Sequence, residues 1–285
     1  MGSQPYALTD PTELGSATVF SSPHSGRCYP LDLTSRARLD AHALRASEDA
    51  FVEQLFAAAP DCGAPLIAAV MPRAYVDLNR GPEELDPAVV KDVRATGLNP
   101  RVAAGLGVIP RIVAEGRPIY RNRISLSDAR DRIAAWHTPY HLKLEALMTR
   151  AAERYGFALL FDCHSMPTDA LRAAPRVRGG RPEIVLGDRF GASAGRAFMT
   201  EAVAAFEGAG FAVAANTPFA GGHITQRYGR PAQNWHAIQI EIDRGLYLDQ
   251  TRIVPGPGYN AFHATLAKVI PALAEVGRAQ ALAAE

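Results

Sequence analysis

The sequence predicts an α/β fold: one three-layer α/β/α domain whose mixed, mostly parallel sheet carries helices on both faces. Three observations predict it. Short, near-continuous apolar runs such as Phe157-Ala-Leu-Leu-Phe161 and Ala237-Ile-Gln-Ile-Glu-Ile242 have the length and composition of strands buried in a sheet. Segments of helical period separate such runs, most clearly Ser127 to Tyr155 and Ser193 to Glu207. Several runs end in polar, metal-competent side chains, and in open α/β sheets ligands bind beyond the carboxyl ends of the strands. Residues 1–285 are read as a single domain, with 1–16 as a polar, poorly ordered lead-in.

Composition narrows the function classes. At 285 residues, 48% hydrophobic and 21% charged, the chain can build a core without staples. A net charge of +1, with no basic run and no zinc-finger spacing, argues against nucleic acid or an anionic membrane surface as partner. Cys28, Cys62 and Cys163 form no C-x-x-C pair, which speaks against a disulfide framework and for a reducing, cytoplasmic setting. The lead-in lacks a signal-peptide pattern, and no stretch approaches the ~20 apolar residues of a membrane span.

Taken in order, Ala17 to Ser22 reads as a strand running into the tight turn Pro23-His-Ser-Gly26, which leaves His24 just past a strand end. Asp40 to Ala59 has helical spacing of Leu44, Phe51, Leu55 and Phe56, with Asp40 as cap and Glu48 and Asp49 inside. Leu66 to Met71 is a strand, and Tyr75-Val-Asp-Leu78 alternates like another before Asn79-Arg80. An amide beside a guanidinium is a natural grip for a carboxylate, although a surface arginine in a loop fits the same local pattern. Residues 81–125 show little periodicity and read as ordered loops covering a site.

The helix from Ser127 to Tyr155 has Pro139 as a kink, and His137 and His141 lie four apart on it. Without an H-E-x-x-H pattern they read as packing or supporting histidines rather than ligands. The strand Phe157 to Phe161 ends in Asp162-Cys-His-Ser165, after which Pro182 to Gly187 and Phe211 to Ala215 are further strands. Asn216 to Thr225 is a loop whose paired Gly221-Gly222 allow close backbone approach, and it holds His223. Glu241 sits between isoleucines in the last strong strand. That is either a desolvated carboxylate suited to general base work or the solvent face of an edge strand. Ala261 to the C-terminus is an amphipathic helix with an alanine-rich tail.

Strand ends and nearby loops thus supply His24, Asn79-Arg80, His164, His223 and Glu241. A catalytic zinc takes three protein ligands of histidine and carboxylate type and keeps one position open, which this inventory fits. No G-x-S-x-G elbow is present, and Cys163 points away from His164 on a strand.

The motifs Pro23-His-Ser-Gly26, Tyr75-Val-Asp-Leu-Asn-Arg80, Asp162-Cys-His-Ser165, Gly221-Gly-His-Ile-Thr225, and Gln239-Ile-Glu-Ile242 with Leu246-Tyr-Leu-Asp249 occur in that order. Through them the chain resembles the N-formylglutamate amidohydrolase family, from about residue 18 to residue 270. That family is distantly similar in fold to zinc carboxypeptidases and aspartoacylases, a phosphorylase/hydrolase-like architecture. The resemblance implies hydrolysis of N-formyl-L-glutamate to formate and glutamate, a step of histidine degradation, on a small substrate that carries carboxylates. Zinc carboxypeptidases place a glutamate three residues after the first histidine, where this chain has Arg27. The third ligand is therefore expected from the following segment, as Asp49 or else Glu48, beside His24 and His164.

The mechanism implied has Glu241 as base and His223 or an arginine at the oxyanion. Asn79, Arg80, Arg227 and Arg244 would hold the substrate's carboxylates. Imidazole with carboxylate also suits iron, nickel or manganese. Two other functions are compatible: a same-fold amidohydrolase or peptidase for a different N-acyl amino acid, and a non-catalytic binder of an acidic ligand.

Overall fold

Apolar β-branched and aromatic runs build the sheet where the sequence places them. The computed structural model of the chain describes residues 4–94, 99–172, 174–178 and 180–277. Among these, β1 (Tyr6–Thr9), β2 (Thr18–Ser22), β3 (Leu66–Ala69), β4 (Ala158–Met166), β5 (Ile184–Gly187), β6 (Val213–Ala215) and β7 (Trp235–Asp243) form a sheet of order β1-β3-β2-β4-β7-β5-β6. β2, β4 and β7 run parallel, β5 and β6 are parallel to each other, and β5 is antiparallel to β7. The sheet is therefore mixed and mostly parallel, as expected. Helices α1 (Leu31–Thr34), α2 (Ala41–Leu44), α3 (Val52–Leu55), α4 (Pro100–Ala103), α5 (Leu126–Arg132), α6 (Thr138–Tyr155), α7 (Arg196–Gly208), α8 (His223–Tyr228) and α9 (Tyr259–Ala274) complete the fold. No helix among the described residues is long and apolar enough to cross a membrane.

The chain divides into two compact units. The smaller comprises Met1–Ala7, Pro23–Glu48 and Ala68–Lys143; the larger comprises Leu8–Ser22, Asp49–Ile67 and Leu144–Glu285. In the larger unit, alternation along β4 and β7 decides which side chains make the core. Leu159, Phe161, Cys163, Ile238, Ile240 and Ile242 face inward with Phe20, α7 and α9. The rings of Phe20 and Phe161 pack at 5.5 Å and those of Phe20 and Phe56 at 5.7 Å. The intervening residues Asp162, His164, Gln239 and Glu241 take the opposite face of the same strands.

Five local expectations change. The lead-in is ordered where described: it forms β1, Gly15 N–H donates to Gly63 O at 3.0 Å, and Tyr155 Oη donates to Leu14 O at 2.8 Å. The helix expected over residues 40–59 is broken. Asp40 caps α2 by accepting from Ala43 N–H at 2.7 Å, but Glu48 is extended (ψ 143°) and Phe51 is left-handed (φ 67°) before α3 begins. Tyr75-Val-Asp-Leu78 is a chain of turns, not a strand, because Tyr75 N–H bonds Pro72 O at 2.9 Å and Asp77 N–H bonds Val108 O at 2.8 Å. β4 does not stop at Phe161 but continues through Asp162-Cys-His-Ser to Met166, where Pro167 ends it. His223 opens α8 rather than lying in the loop.

The expected helix over 127–155 is confirmed, entered at Leu126 under a Ser125 cap. It carries a π-helical stretch, Ile133–His137, just before Pro139. A proline there lacks an N–H and crowds the carbonyl four residues back, so the backbone widens by one residue per turn. The alanine-rich tail after residue 277 lies outside the described residues.

Candidate active site

In the larger unit the site grows from the polar face of β4. Cys163 turns into the core and is fully buried, so the neighbouring Asp162 and His164 share the other face. Both ring nitrogens of His164 meet carboxylates. Nδ1 lies 2.9 Å from Asp49 Oδ2, and Nε2 lies 2.9 Å from Asp162 Oδ2. Burial alone would discharge this imidazole, but Asp162 and Asp49 outweigh it and hold the His164 pKa well above the ordinary value.

Asp49 can reach His164 because the helix breaks beside it. Its other oxygen, Oδ1, accepts from Arg244 Nη2 at 2.9 Å. Arg244 Nε also donates to Ser165 Oγ at 3.1 Å. The main chain next to Asp49 is pinned by Tyr247 Oη, which donates to Ala50 O at 3.0 Å. Arg244, expected on the substrate, thus spends its guanidinium on holding Asp49. Glu48, the alternative ligand, belongs to a different cluster: it accepts from Tyr29 Oη at 2.6 Å and from Arg45 Nε at 3.0 Å.

Glu241 is opposite His164 in the β4–β7 register, and Gln239 is opposite Asp162. β7 lies between β4 and β5, so the edge-strand reading of Glu241 falls away. Glu241 is 8% exposed and Gln239 5%, and Gln239 Nε2 donates to Glu241 Oε1 at 2.8 Å. His223 begins α8, which packs on β4 and β7. Arg227 stands one turn further along α8 and donates from Nη2 to Glu145 Oε2 at 3.1 Å. The loop before α8 lies close over Gly187. A Cβ at that position would come within 2.7 Å of the Ala220 carbonyl carbon.

In the smaller unit, His24 stands in the Pro23–Gly26 turn with Nε2 2.7 Å from Asp77 Oδ1. Gly26 is required there, since a Cβ would lie 2.1 Å from Met71 O. Asp77 is wholly buried and also receives Arg73 Nε at 2.9 Å and Asn79 N–H at 2.9 Å. Burial opposes its charge, yet Arg73, His24 and Arg80 hold its carboxyl well below the usual range. Arg80 is anchored by Nε to Leu106 O at 2.7 Å and Nη1 to Asn79 O at 2.6 Å, and burial lowers its pKa. The rings of His137 and His141 pack at 4.3 Å, tilted by 37°, and donate from Nε2 to Arg80 O and Leu78 O, each at 2.8 Å. They fix the backbone of the Asn79-Arg80 segment.

The residues fit a divalent metal. Asp77 and Asp162 can only accept when ionised, so Nε2 carries the proton in both His24 and His164, which leaves Nδ1 as the atom a metal would take, displacing in His164 the proton shared with Asp49. In His164 that Nδ1 already faces the Asp49 carboxylate. Asp77, Asp162 and Gln239 hold the expected residues His24, His164 and Glu241 through these contacts, and sequence reasoning did not assign them. Their one signal was a polar side chain inside an otherwise apolar stretch.

The family model for N-formylglutamate amidohydrolase matches residues 16–248. A protein of Pseudomonas aeruginosa named N-formylglutamate deformylase is 32% identical over 237 residues, covering 81% of this chain and 82% of that one. A protein of the same name from Pseudomonas putida is 33% identical over 209 residues, 71% of each. The crystal structure of N-formylglutamate amidohydrolase from Ralstonia eutropha superposes with a TM-score of 0.89 at 31% identity, covering 96% of this chain and 99% of that one. A gene product of Agrobacterium tumefaciens shares the fold, with a TM-score of 0.64 at 17% identity over 98% and 95% of the two chains. With its sequence matched over most of its length and its fold superposed almost entirely, the chain belongs to the N-formylglutamate amidohydrolase family.

Proposed function

We propose that this chain hydrolyses N-formyl-L-glutamate to formate and L-glutamate, using zinc held by His24, Asp49 and His164. The observation that supports it most is the pairing of each histidine's Nε2 with a buried carboxylate, Asp77 for His24 and Asp162 for His164. That arrangement presents Nδ1 for coordination and fixes its direction. The Pseudomonas relatives, which carry the name N-formylglutamate deformylase, support the substrate.

Zinc bound there supplies a Lewis acid that polarises the formyl group and acidifies water. The protein does the rest. Arg244 holds Asp49 Oδ1, which leaves Oδ2 directed at the histidine side. Glu241, buried and fixed by Gln239, takes a proton from the attacking water and delivers it to the departing nitrogen. One C–O bond forms, the C–N bond breaks, and the amine leaves neutral or protonated. His223, at the start of α8, supplies a donor to the developing oxyanion. Two substrate carboxylates need two cations, and Arg80 with Asn79, together with Arg227, provides them.

Formate release measured over a panel of N-formyl and N-acetyl amino acids tests this reading. N-formyl-L-glutamate should give the highest kcat/KM. A clear preference for an N-acetyl substrate or for an apolar side chain would transfer the chain to another amidohydrolase function.

A further inference from the structure

Gln239 presents an oxygen that the fold leaves unused. The residue is 5% exposed and lies on the Asp162, His164 and Glu241 face of the sheet. Glu241, as a carboxylate, only accepts, so the amide of Gln239 turns its Nε2 toward Glu241 Oε1 at 2.8 Å. Its Oε1 then points elsewhere, buried and with no hydrogen-bond partner among the described residues. A carbonyl oxygen taken out of water and given no donor costs stability, so an orphan of this kind beside a proposed base calls for a donor that arrives later.

The surroundings narrow what that donor is. On β7 the residue is flanked in register by Asp162 of β4 and Gly187 of β5. Gly187 leaves space for the Ala220 backbone at a distance no side chain would permit, so the loop entering α8 is drawn over this same face. A donor for Oε1 is therefore a small group that enters this covered face beside Glu241, the residue proposed above to deliver the proton.

We infer that Gln239 is a substrate-reading residue whose Oε1 accepts the N–H of the scissile amide while its Nε2 orients Glu241. This rests on the reaction proposed above and extends it: one side chain aligns the base with the nitrogen that receives the proton. It makes the enzyme selective for secondary amides, because a nitrogen without hydrogen leaves Oε1 unpaired and crowds it.

The test compares N-formyl-L-glutamate with N-formyl-N-methyl-L-glutamate in the wild type, Gln239→Met and Gln239→Glu, with zinc content and melting temperature recorded for each. The wild type should prefer the N–H substrate by roughly tenfold to hundredfold in kcat/KM. Gln239→Met, which keeps the volume and loses both polar atoms, should bind zinc normally and lose most of that preference. Gln239→Glu retains an acceptor and should keep the preference, while its kcat falls because a second carboxylate faces Glu241. A ratio unchanged in Gln239→Met, or no preference in the wild type, overturns the inference and leaves the hydrolytic reading standing. Absence of wild-type turnover on N-formyl-L-glutamate overturns both.

Discussion

Two buried histidine–carboxylate pairs carry the proposed chemistry at the level of single residues. His24 on Asp77 and His164 on Asp162 have the same arrangement, although they lie in different units and on different backbone elements. Replacing either carboxylate by asparagine removes the charge that fixes the ring but leaves the ligands in place. Asp77→Asn and Asp162→Asn should each weaken zinc binding by roughly 10- to 100-fold, read by competition with a chromogenic chelator. An affinity equal to wild type in both would show that the carboxylates do not serve the metal. Glu241→Gln should keep stoichiometric zinc while kcat falls by about 10²–10⁴-fold; full turnover would remove Glu241 from the mechanism. His24, His164 and Glu241 could be proposed from the sequence because their residue types stand out at strand ends and in an apolar run. Asp77 and Asp162 were not assigned, because a carboxylate's role depends on its partner. For Asp77 that partner is 53 residues away in sequence, and for Arg244 and Asp49 the separation is 195.

Secondary-structure elements show where local pattern was overridden. At Asp49 the expected helix is broken and the carboxylate is bound by His164 and Arg244, contacts no helical period encodes. Tyr75-Val-Asp-Leu78 alternates like a strand, yet Asp77 is claimed by His24 and Arg73, and the segment folds into turns. The strands β4 and β7 were legible in type, since buried apolar runs leave little choice, but β4 runs past the expected end at Phe161 through its polar residues to Met166.

Two predictions belong to elements. Gly187→Ala puts a methyl within 2.7 Å of the Ala220 backbone. It should cost roughly 1–3 kcal/mol in urea unfolding and lower kcat by shifting the loop that leads to His223; an unchanged midpoint would refute the contact. The second concerns α7, whose N-cap Gly195 has no side chain to cap it. Instead Gly195 N–H donates to Nδ1 of His236 at 3.2 Å, and His236 stacks on Phe198 at 3.9 Å. Burial lowers the His236 pKa to about 4, from 6.5. The unfolded chain therefore binds this proton more readily, and the stability is present above pH 6.5 and lost as pH falls toward 4. The loss should be about 1–3 kcal/mol, because solvent that reaches part of the site screens the charge. Denaturation of His236→Gln across that range should be flatter than wild type; parallel curves would contradict the assignment.

At the level of the whole molecule, the α/β class and the mixed sheet were readable, whereas strand order and the division into two compact units were not. The unit boundaries fall inside β1, β3 and α6, at the end of β2 between Ser22 and Pro23, and between Glu48 and Asp49, so no linker composition marks them. β5 runs against β7, a direction its four buried residues do not record. The family, by contrast, was carried by short ordered motifs, and it is the one the chain belongs to. The central claim is that a single metal, held by His24, Asp49 and His164, carries the hydrolysis. Its most direct test is to strip the purified protein with a chelator and add zinc back while following formate release from N-formyl-L-glutamate. Activity should vanish on stripping and return in proportion to zinc, saturating at one equivalent, and His164→Ala should recover none. Full formate release by the stripped protein, or full recovery by His164→Ala, would contradict the account.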